Sequence, residues 1–190
     1  MCRVQRVVAL AGYICAGKST LAAAYCARHP GARTLLISEL LKKMMEDQGL
    51  PTKPRSRISA FYMLTLEERG EGFLAKMVLD HVRGNPADLY LLDGWRRIEQ
   101  HTLMTASPEV SFLGVFIEAP PQVMFDRWVR RARAGDGPDF SREAFMAQKM
   151  LPSENEIPDL IRLSMIVMDG SQPRDVVLSR FEQYLQNESF

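Results

Sequence analysis

Short apolar runs alternate with longer stretches of helical periodicity along this 190-residue chain. The apolar runs predict strands over 3–10, 33–37, 88–93, 111–117 and 164–168. Helices are predicted over 20–28, 39–48, 58–69, 71–83, 121–134, 140–150 and 174–186, and a loop over 135–140. Strands that alternate with helices are typical of a parallel sheet covered on both faces. The pattern therefore predicts an α/β fold.

The turn after the first predicted strand carries a complete phosphate-binding pattern. Residues 12–19 read GYICAGKS and match G-x-x-x-x-G-K-[ST]. Gly12 and Gly17 permit backbone angles that a Cβ would forbid, so consecutive N–H groups can point at phosphate oxygens. Lys18 would reach the β- and γ-phosphates, and Ser19 would offer its hydroxyl to Mg²⁺ at a helix N-terminus that also attracts anions. The predicted nucleotide-binding residues of this loop are Gly12, Cys15, Ala16, Gly17, Lys18, Ser19 and Thr20.

An acidic residue and two arginines follow the third predicted strand. Asp93 ends the apolar run DLYLLD and precedes Gly94, so it is a candidate to hold Mg²⁺ together with Ser19 or, alternatively, an ordinary Asp-Gly turn. Arg96 and Arg97 lie at the sheet edge where open α/β sheets bind ligands, and one of them should contact a phosphate.

A second group of arginines lies in the predicted helix 121–134. Arg127, Arg130 and Arg131 are spaced by three and four residues, so they share one helix face, and Arg133 follows. Mobile arginines over a phosphate donor are expected in phosphoryl transfer, which predicts an arginine-rich lid over residues 127–150. The alternative is a solvated basic helix face.

Acceptor recognition is predicted in the helical segment 38–86, between the second and third strands. Ser38, which is also a candidate helix cap, Glu39 and Lys42 come just after a strand end. The basic run 53–57, KPRSR, would suit a phosphate or a polynucleotide backbone. The alternative interpretation of each of these residues is a surface charge with no binding role.

Composition limits the classes of function. A formal net charge of +1 does not indicate a duplex-DNA footprint, and three cysteines without metal-ligand spacing suit a reducing compartment. No apolar run reaches the roughly 18 residues that a membrane span needs, so we expect no membrane partner. We expect a single domain over 1–190, a cytoplasmic location, and a monomer or homodimer.

The chain resembles P-loop nucleotide kinases of the adenylate-kinase-like superfamily, most closely the dephospho-CoA-kinase-like and phage-type deoxynucleoside monophosphate kinase-like proteins. The resemblance rests on GYICAGKSTLA, SELLKK, ERGEGFLAK, DGWRR, FIEAPPQVMFDRWVRRARAGD, SENEIPDLI and MDGS, in this order. It implies a three-layer P-loop NTPase fold with a five-stranded parallel sheet of order 2-3-1-4-5, ATP as donor with Mg²⁺, and an acceptor between the lid and the helical insertion.

The resemblance also implies roles for individual residues. Asp93 matches the acid of the family's DG motif and Arg96 the arginine after it, while Arg131 and Arg133 match lid arginines. Residues 169–171 match the loop near the donor base, that is Asp169, Gly170 and Ser171.

Departures from the family leave the acceptor open. Lys42 stands where many relatives have arginine, and Glu39 where many have aspartate. Trp95 either shapes the acceptor pocket or is a core tryptophan. The predicted substrate-binding residues are Ser38, Glu39, Lys42, Trp95, Arg96 and Arg97.

The expected activity is Mg²⁺-dependent transfer of the ATP γ-phosphoryl group to a nucleotide-like acceptor, most simply a (deoxy)nucleoside monophosphate. Lys18, Asp93, Arg96 and Arg131 are the predicted catalytic residues. The alternatives are a kinase acting on 5-hydroxymethyluracil as a nucleotide or within DNA, a dephospho-CoA kinase-like activity, and a non-catalytic ATP-binding regulatory protein.

Overall fold

The five strands form one parallel sheet. The computed structural model describes residues 4–131, 140–164 and 166–187. The strands are β1 (Gln5–Ala11), β2 (Ala32–Leu36), β3 (Leu89–Asp93), β4 (Val110–Glu118) and β5 (Ile166–Asp169). Their order is β2-β3-β1-β4-β5 and every neighbouring pair is parallel. The predicted α/β class, sheet and strand order are confirmed.

Helices connect and follow the strands. They are α1 (Lys18–Arg28), α2 (Ile37–Asp47), α3 (Arg55–Arg69), α4 (Gly72–Gly84), α5 (Ile98–Ala106), α6 (Pro121–Arg130), α7 (Arg142–Lys149), α8 (Ile157–Leu163) and α9 (Arg174–Asn187). A short 3₁₀ helix, Pro152–Glu154, separates α7 from α8. In the described ranges no helix combines the length and the apolar character that crossing a membrane requires.

The two faces of the sheet bury separate apolar clusters. Successive residues of β1 point to opposite faces, so Val8 and Leu10 pack with α1, α6 and α9, while Val7 and Ala9 pack with α2, α3 and α4. All four β1 residues are at most 1% exposed. The β1 strand is therefore held from both sides, which fixes the loop that follows it.

Three local predictions were wrong or incomplete. Ser38 does not cap a helix, because α2 already begins at Ile37 and Leu36 occupies the N-cap position. The sequence patterns also missed α5 and α8. The buried residues of α5 include the polar Gln100 and His101, which breaks the apolar periodicity, and α8 has only seven residues. Most of the predicted loop 135–140 lies outside the described residues.

Candidate functional site

The glycine-rich loop between β1 and α1 adopts backbone angles that favour glycine. Gly12 and Gly17 have φ values of 128° and 125°, and Cys15 has a φ of 63°. A Cβ on Gly12 would lie 2.2 Å from the carbonyl oxygen of Ile117 in β4. Glycine is therefore needed at position 12 both for its backbone angle and for the close approach of β4.

Lys18 is held by its own loop. Its Nζ donates hydrogen bonds to the carbonyl oxygens of Gly12 at 2.6 Å and Tyr13 at 2.9 Å. Burial lowers the pKa of Lys18 to about 8, although the Asp93 carboxylate acts in the opposite direction. The first turn of α1 itself contains no acidic residue that would compete for the positive end of the helix dipole.

Ser19 and Asp93 meet at the carboxyl end of the sheet. The Ser19 Oγ donates a hydrogen bond of 2.5 Å to Asp93 Oδ2. The two residues meet because β1 and β3 are neighbours, with Leu10 opposite Asp93. A hydroxyl and a carboxylate are hard oxygen donors that suit Mg²⁺, which binds through few protein ligands when phosphates and water complete its shell. The pair thus fits the predicted metal position.

The arginines at the end of α6 and just after it make different contacts. Arg127 donates to the carbonyl oxygens of Cys15 at 3.2 Å, Ala16 at 3.0 Å and Gly170 at 2.7 Å. Arg130 is exposed and bonds to the backbone of its own helix. Arg131, just past the end of α6, reaches the Cys15 sulfur at 3.7 Å.

The structure therefore separates Arg127 and Arg131, which contact the phosphate loop, from Arg130, which does not. Helical spacing alone could not make this distinction, because the last turn of α6 ends at Arg130. Arg133 lies outside the described residues.

The loop after β5 packs against the phosphate loop. A Cβ on Gly170 would lie 2.2 Å from the carbonyl oxygen of Ala16. Asp169 accepts hydrogen bonds from the Ser171 side chain, the Gln172 side chain and the Ser171 backbone N–H, and these bonds lower the pKa of Asp169 to about 2. Gly170 is thus in contact with the phosphate loop, whereas the exposed Asp169 is bonded to the half-buried Ser171.

A cavity of about 410 Å³ opens beside Lys18. Its volume lies in the usual range for small-molecule sites. The predicted site residues that line it are Cys15, Gly17, Lys18, Ser19, Ser38, Glu39, Lys42, Asp93, Arg96 and Arg131. Lys42 and Glu39 form an ion pair of 2.7 Å at its rim. Thr20 is exposed on α1 and does not line the cavity.

Two predicted substrate-binding residues have other surroundings. Trp95 is 1% exposed and its ring lies 5.8 Å from that of Phe112, so it is a core tryptophan and does not line the cavity. Arg97 pairs with Glu71 and, at 2.6 Å, with Glu156. These carboxylates occupy the Arg97 guanidinium and join α4 to the start of α5.

The sequence patterns overlooked a group of buried polar residues in the cavity wall. Gln100 is fully buried and donates through Nε2 to the Tyr62 hydroxyl at 2.9 Å, while its Oε1 has no hydrogen-bond partner among the described residues. Glu154, which is 2% exposed, pairs with Arg55 and Arg96 at 2.9 Å each. A glutamine at an apolar position of α5 was the available signal for Gln100; Glu154 had none, because its short 3₁₀ helix was not predicted.

Comparisons with known proteins show what the chain resembles in sequence and in fold. A UPF0200 protein of Saccharolobus islandicus is 25% identical over 136 residues, which cover 72% of this chain and 70% of that protein. Shikimate kinase from Bacteroides thetaiotaomicron has a similar structure, with a TM-score of 0.61, 13% identity, and coverage of 95% of this chain and 98% of that one. TT1252 from Thermus thermophilus has a TM-score of 0.66 at 16% identity, covering 99% and 100%.

At these identities the two structures establish a kinase-like P-loop fold and not a substrate. The family is established separately, by a family model described as AAA domain that matches residues 7–152. That match includes the phosphate loop, Asp93, Arg96 and Arg127, and it spans most of the sequence. The chain belongs to this AAA domain family.

Proposed function

We propose that this protein is an ATP-dependent kinase that transfers the γ-phosphoryl group to a small nucleotide-like acceptor, most simply a (deoxy)nucleoside monophosphate. The observation that carries the proposal is that one cavity contains both Lys18 and Ser19 of the phosphate loop and the side chains of Arg55, Arg96 and Gln100. Groups suited to a phosphate donor and groups suited to a second anionic ligand therefore share one cavity.

The donor side is formed by the phosphate loop. Its N–H groups and Lys18 hold the β- and γ-phosphates, and Arg127 keeps the loop in place through the carbonyls of Cys15 and Ala16. Ser19 and Asp93 would hold Mg²⁺, which when bound neutralises charge on the phosphates. Arg131 borders the same cavity and supplies a further positive charge.

The acceptor side changes from cationic to neutral. Arg55 and Arg96 line the cavity with Lys18, and the buried part of the wall carries Tyr62 and Gln100. A buried amide oxygen without a partner is costly, so Gln100 Oε1 favours a ligand that donates a hydrogen bond, once the cavity wall shifts enough to expose this buried atom. A nucleoside monophosphate has both features, an anionic phosphate at one end and a neutral base with N–H donors at the other.

The engagement of the cavity's carboxylates favours an acceptor phosphate over an acceptor hydroxyl as the attacking group, because a hydroxyl would need one of them as a general base. During transfer a bond forms between the acceptor oxygen and the γ-phosphorus, the bond to the β,γ-bridging oxygen breaks, and ADP leaves with that electron pair. A phosphate oxygen is already anionic and needs no general base, whereas a hydroxyl acceptor does. Both carboxylates among the described lining residues are engaged, Asp93 with Ser19 and Glu39 with Lys42.

The basic run 53–57 gives little support to a DNA acceptor. Lys53 and Arg55 line the cavity, and Arg55 is bonded to Gln148 and Glu154. A polynucleotide backbone is instead gripped by cations spread over an open surface. The position of Arg55 in the cavity wall therefore favours a small molecule.

The test is an ATP-consumption screen against all common NMPs and dNMPs, 5-hydroxymethyl-dUMP, dephospho-CoA, and DNA containing 5-hydroxymethyluracil. Lys18→Ala should lower turnover by about 100-fold or more, because a preorganised charge at the transferred phosphoryl is lost. Lys76→Ala, an exposed position on α4, is the matched control and should keep wild-type turnover. Tight ATP binding with no transfer to any acceptor would favour the non-catalytic alternative.

A further inference from the structure

Glu154 is a buried carboxylate shared by two arginines. Its Oε1 lies 2.9 Å from Arg55 Nη2 and 2.9 Å from Arg96 Nη1, and its side chain is 1% exposed. A buried carboxylate is strongly destabilising unless cations and hydrogen bonds compensate it. The two arginines provide that compensation for Glu154.

The three residues come from three distant parts of the chain. Arg55 begins α3, Arg96 follows β3, and Glu154 ends the 3₁₀ helix beyond α7. The segment that carries Glu154 is docked on α3 by two further bonds, from Arg55 Nη1 to Gln148 at 3.1 Å and from Ser59 to Ser153 at 2.9 Å. The carboxylate thus joins elements that are separate in sequence.

The two arginines share the cavity with the phosphate-loop lysine. Arg55, Arg96 and Lys18 all line it, and the charges of Arg96, Glu154 and Arg55 all act on the pKa of Lys18. Guanidinium groups this close repel each other unless an anion lies between them. Glu154 supplies that anion from behind the cavity wall, because it does not itself line the cavity.

We propose that Glu154 is a positioning residue that holds Arg55 and Arg96 together beside Lys18 as a preformed anion site for the acceptor. Arginine can engage phosphate oxygens through several N–H donors, and the ion pair with Glu154 involves one terminal nitrogen of Arg96. The acceptor then binds without the cost of bringing two cations together. The identity of that anion as the acceptor's phosphate rests on the proposed function.

The first experiment measures anion binding without turnover. Inorganic phosphate is titrated by calorimetry into protein saturated with Mg²⁺ and a non-hydrolysable ATP analogue, so that the phosphate loop is already filled. Glu154→Gln should weaken phosphate binding at least tenfold, and Glu154→Asp, which keeps the charge but is one methylene shorter, by a smaller factor. Glu143→Gln, an exposed position on α7, is the matched control and should bind phosphate like the wild type.

The second experiment separates positioning from a purely structural role. With an acceptor found in the screen, Glu154→Gln should raise the KM for that acceptor about tenfold and leave the KM for ATP within twofold. In an Arg55→Met background, the same substitution should have a smaller effect, since Glu154 acts through the arginines.

Three results would overturn the proposal: unchanged phosphate binding in folded Glu154→Gln, an equal rise of both KM values, or no phosphate binding by the wild type. If Glu154→Gln does not fold, as judged by its melting curve and analogue binding, Glu154→Asp decides in its place. If no acceptor in the screen is phosphorylated but phosphate binding still depends on Glu154, the proposed function is wrong and the anion site is retained.

Discussion

The Lys18 ammonium is buried and bonded to its own loop. It donates to the carbonyls of Gly12 and Tyr13, and burial holds its pKa near 8. A polyphosphate brings negative charge to the same nitrogen, and a nearby opposite charge raises the pKa of an amine. Nucleotide binding and protonation of Lys18 are therefore coupled.

We predict that ATP binding takes up a proton near pH 8. At that pH about half of the free protein carries a neutral Lys18, and the bound phosphates restore the ammonium, whereas at pH 6.5 Lys18 is already charged and uptake should be near zero. Calorimetry in two buffers of different ionisation enthalpy measures the uptake. Lys18→Arg keeps a permanent charge, so pH-dependent uptake that survives in this variant would contradict the prediction.

A second prediction concerns the two arginines that helical spacing could not separate. Arg127→Ala removes three hydrogen bonds to carbonyls of the phosphate loop and of Gly170, so the loop should lose its fixed shape. We expect the Kd for ATP to rise about tenfold, equivalent to about 1.4 kcal/mol, the low end for a charged hydrogen bond. Arg130→Ala on the same helix is the control. An equal loss of ATP affinity in the two variants would contradict the prediction and favour one shared basic helix face.

At the scale of elements, the sequence predicted the strands and helices that have a local periodic pattern. It missed those whose burial depends on contacts with other elements. The strands and α1 were predictable because apolar runs and the GKS sequence are local signals. The helix α5 was not, because its buried residues include Gln100 and His101, whose partners Tyr62 and Gly114 lie on other elements. The sequence likewise could not show that Arg97 pairs with Glu71 and Glu156, because these carboxylates lie far from it in the chain.

The contact between α5 and β4 gives a stability prediction. A Cβ at Gly114 would lie 2.3 Å from His101 Cε1. The His101 ring is buried and packs against Phe112, so it has little room to move away. Gly114→Ala should lower the free energy of unfolding by about 1–3 kcal/mol, as overpacked cores do. Urea denaturation measures this. Gly84→Ala is the control, because nothing lies within 4 Å of its Cβ position; similar values for the two variants would contradict the steric argument.

At the scale of the whole molecule, the sheet order brings the site together. The strand β1 lies between β3 and β4, so Lys18, Asp93 and the Ile117 carbonyl that requires Gly12 converge at one edge. The phosphate loop and Asp93 could be predicted from sequence because they lie at the carboxyl ends of strands. The acceptor wall was predicted only in part: Arg96 was identified, but Glu154 was not, since Arg55, Arg96 and Glu154 become neighbours only after α3, the loop after β3 and the 3₁₀ helix pack together.

This convergence predicts how the protein's thermal stability responds to Mg²⁺ and ATP. In the structure the Ser19 hydroxyl donates to Asp93 Oδ2 at 2.5 Å, and the hydroxyl oxygen and the carboxylate are the groups that would hold Mg²⁺. A ligand at 100 times its Kd stabilises the folded state by about 2.7 kcal/mol, which for about 190 residues raises Tm by roughly 5–10 °C.

We expect Mg²⁺ with ATP to raise Tm by several degrees more than ATP with a chelator, as measured by calorimetric melting. Asp93→Asn should abolish that difference, because the amide oxygen is a poor Mg²⁺ ligand. Its ligand-free Tm should stay close to that of the wild type, since the amide oxygen still accepts from Ser19. A Mg²⁺ increment that persists in Asp93→Asn would place the metal on residues other than Asp93, whereas a large drop in the ligand-free Tm would make Asp93 chiefly a structural partner of Ser19.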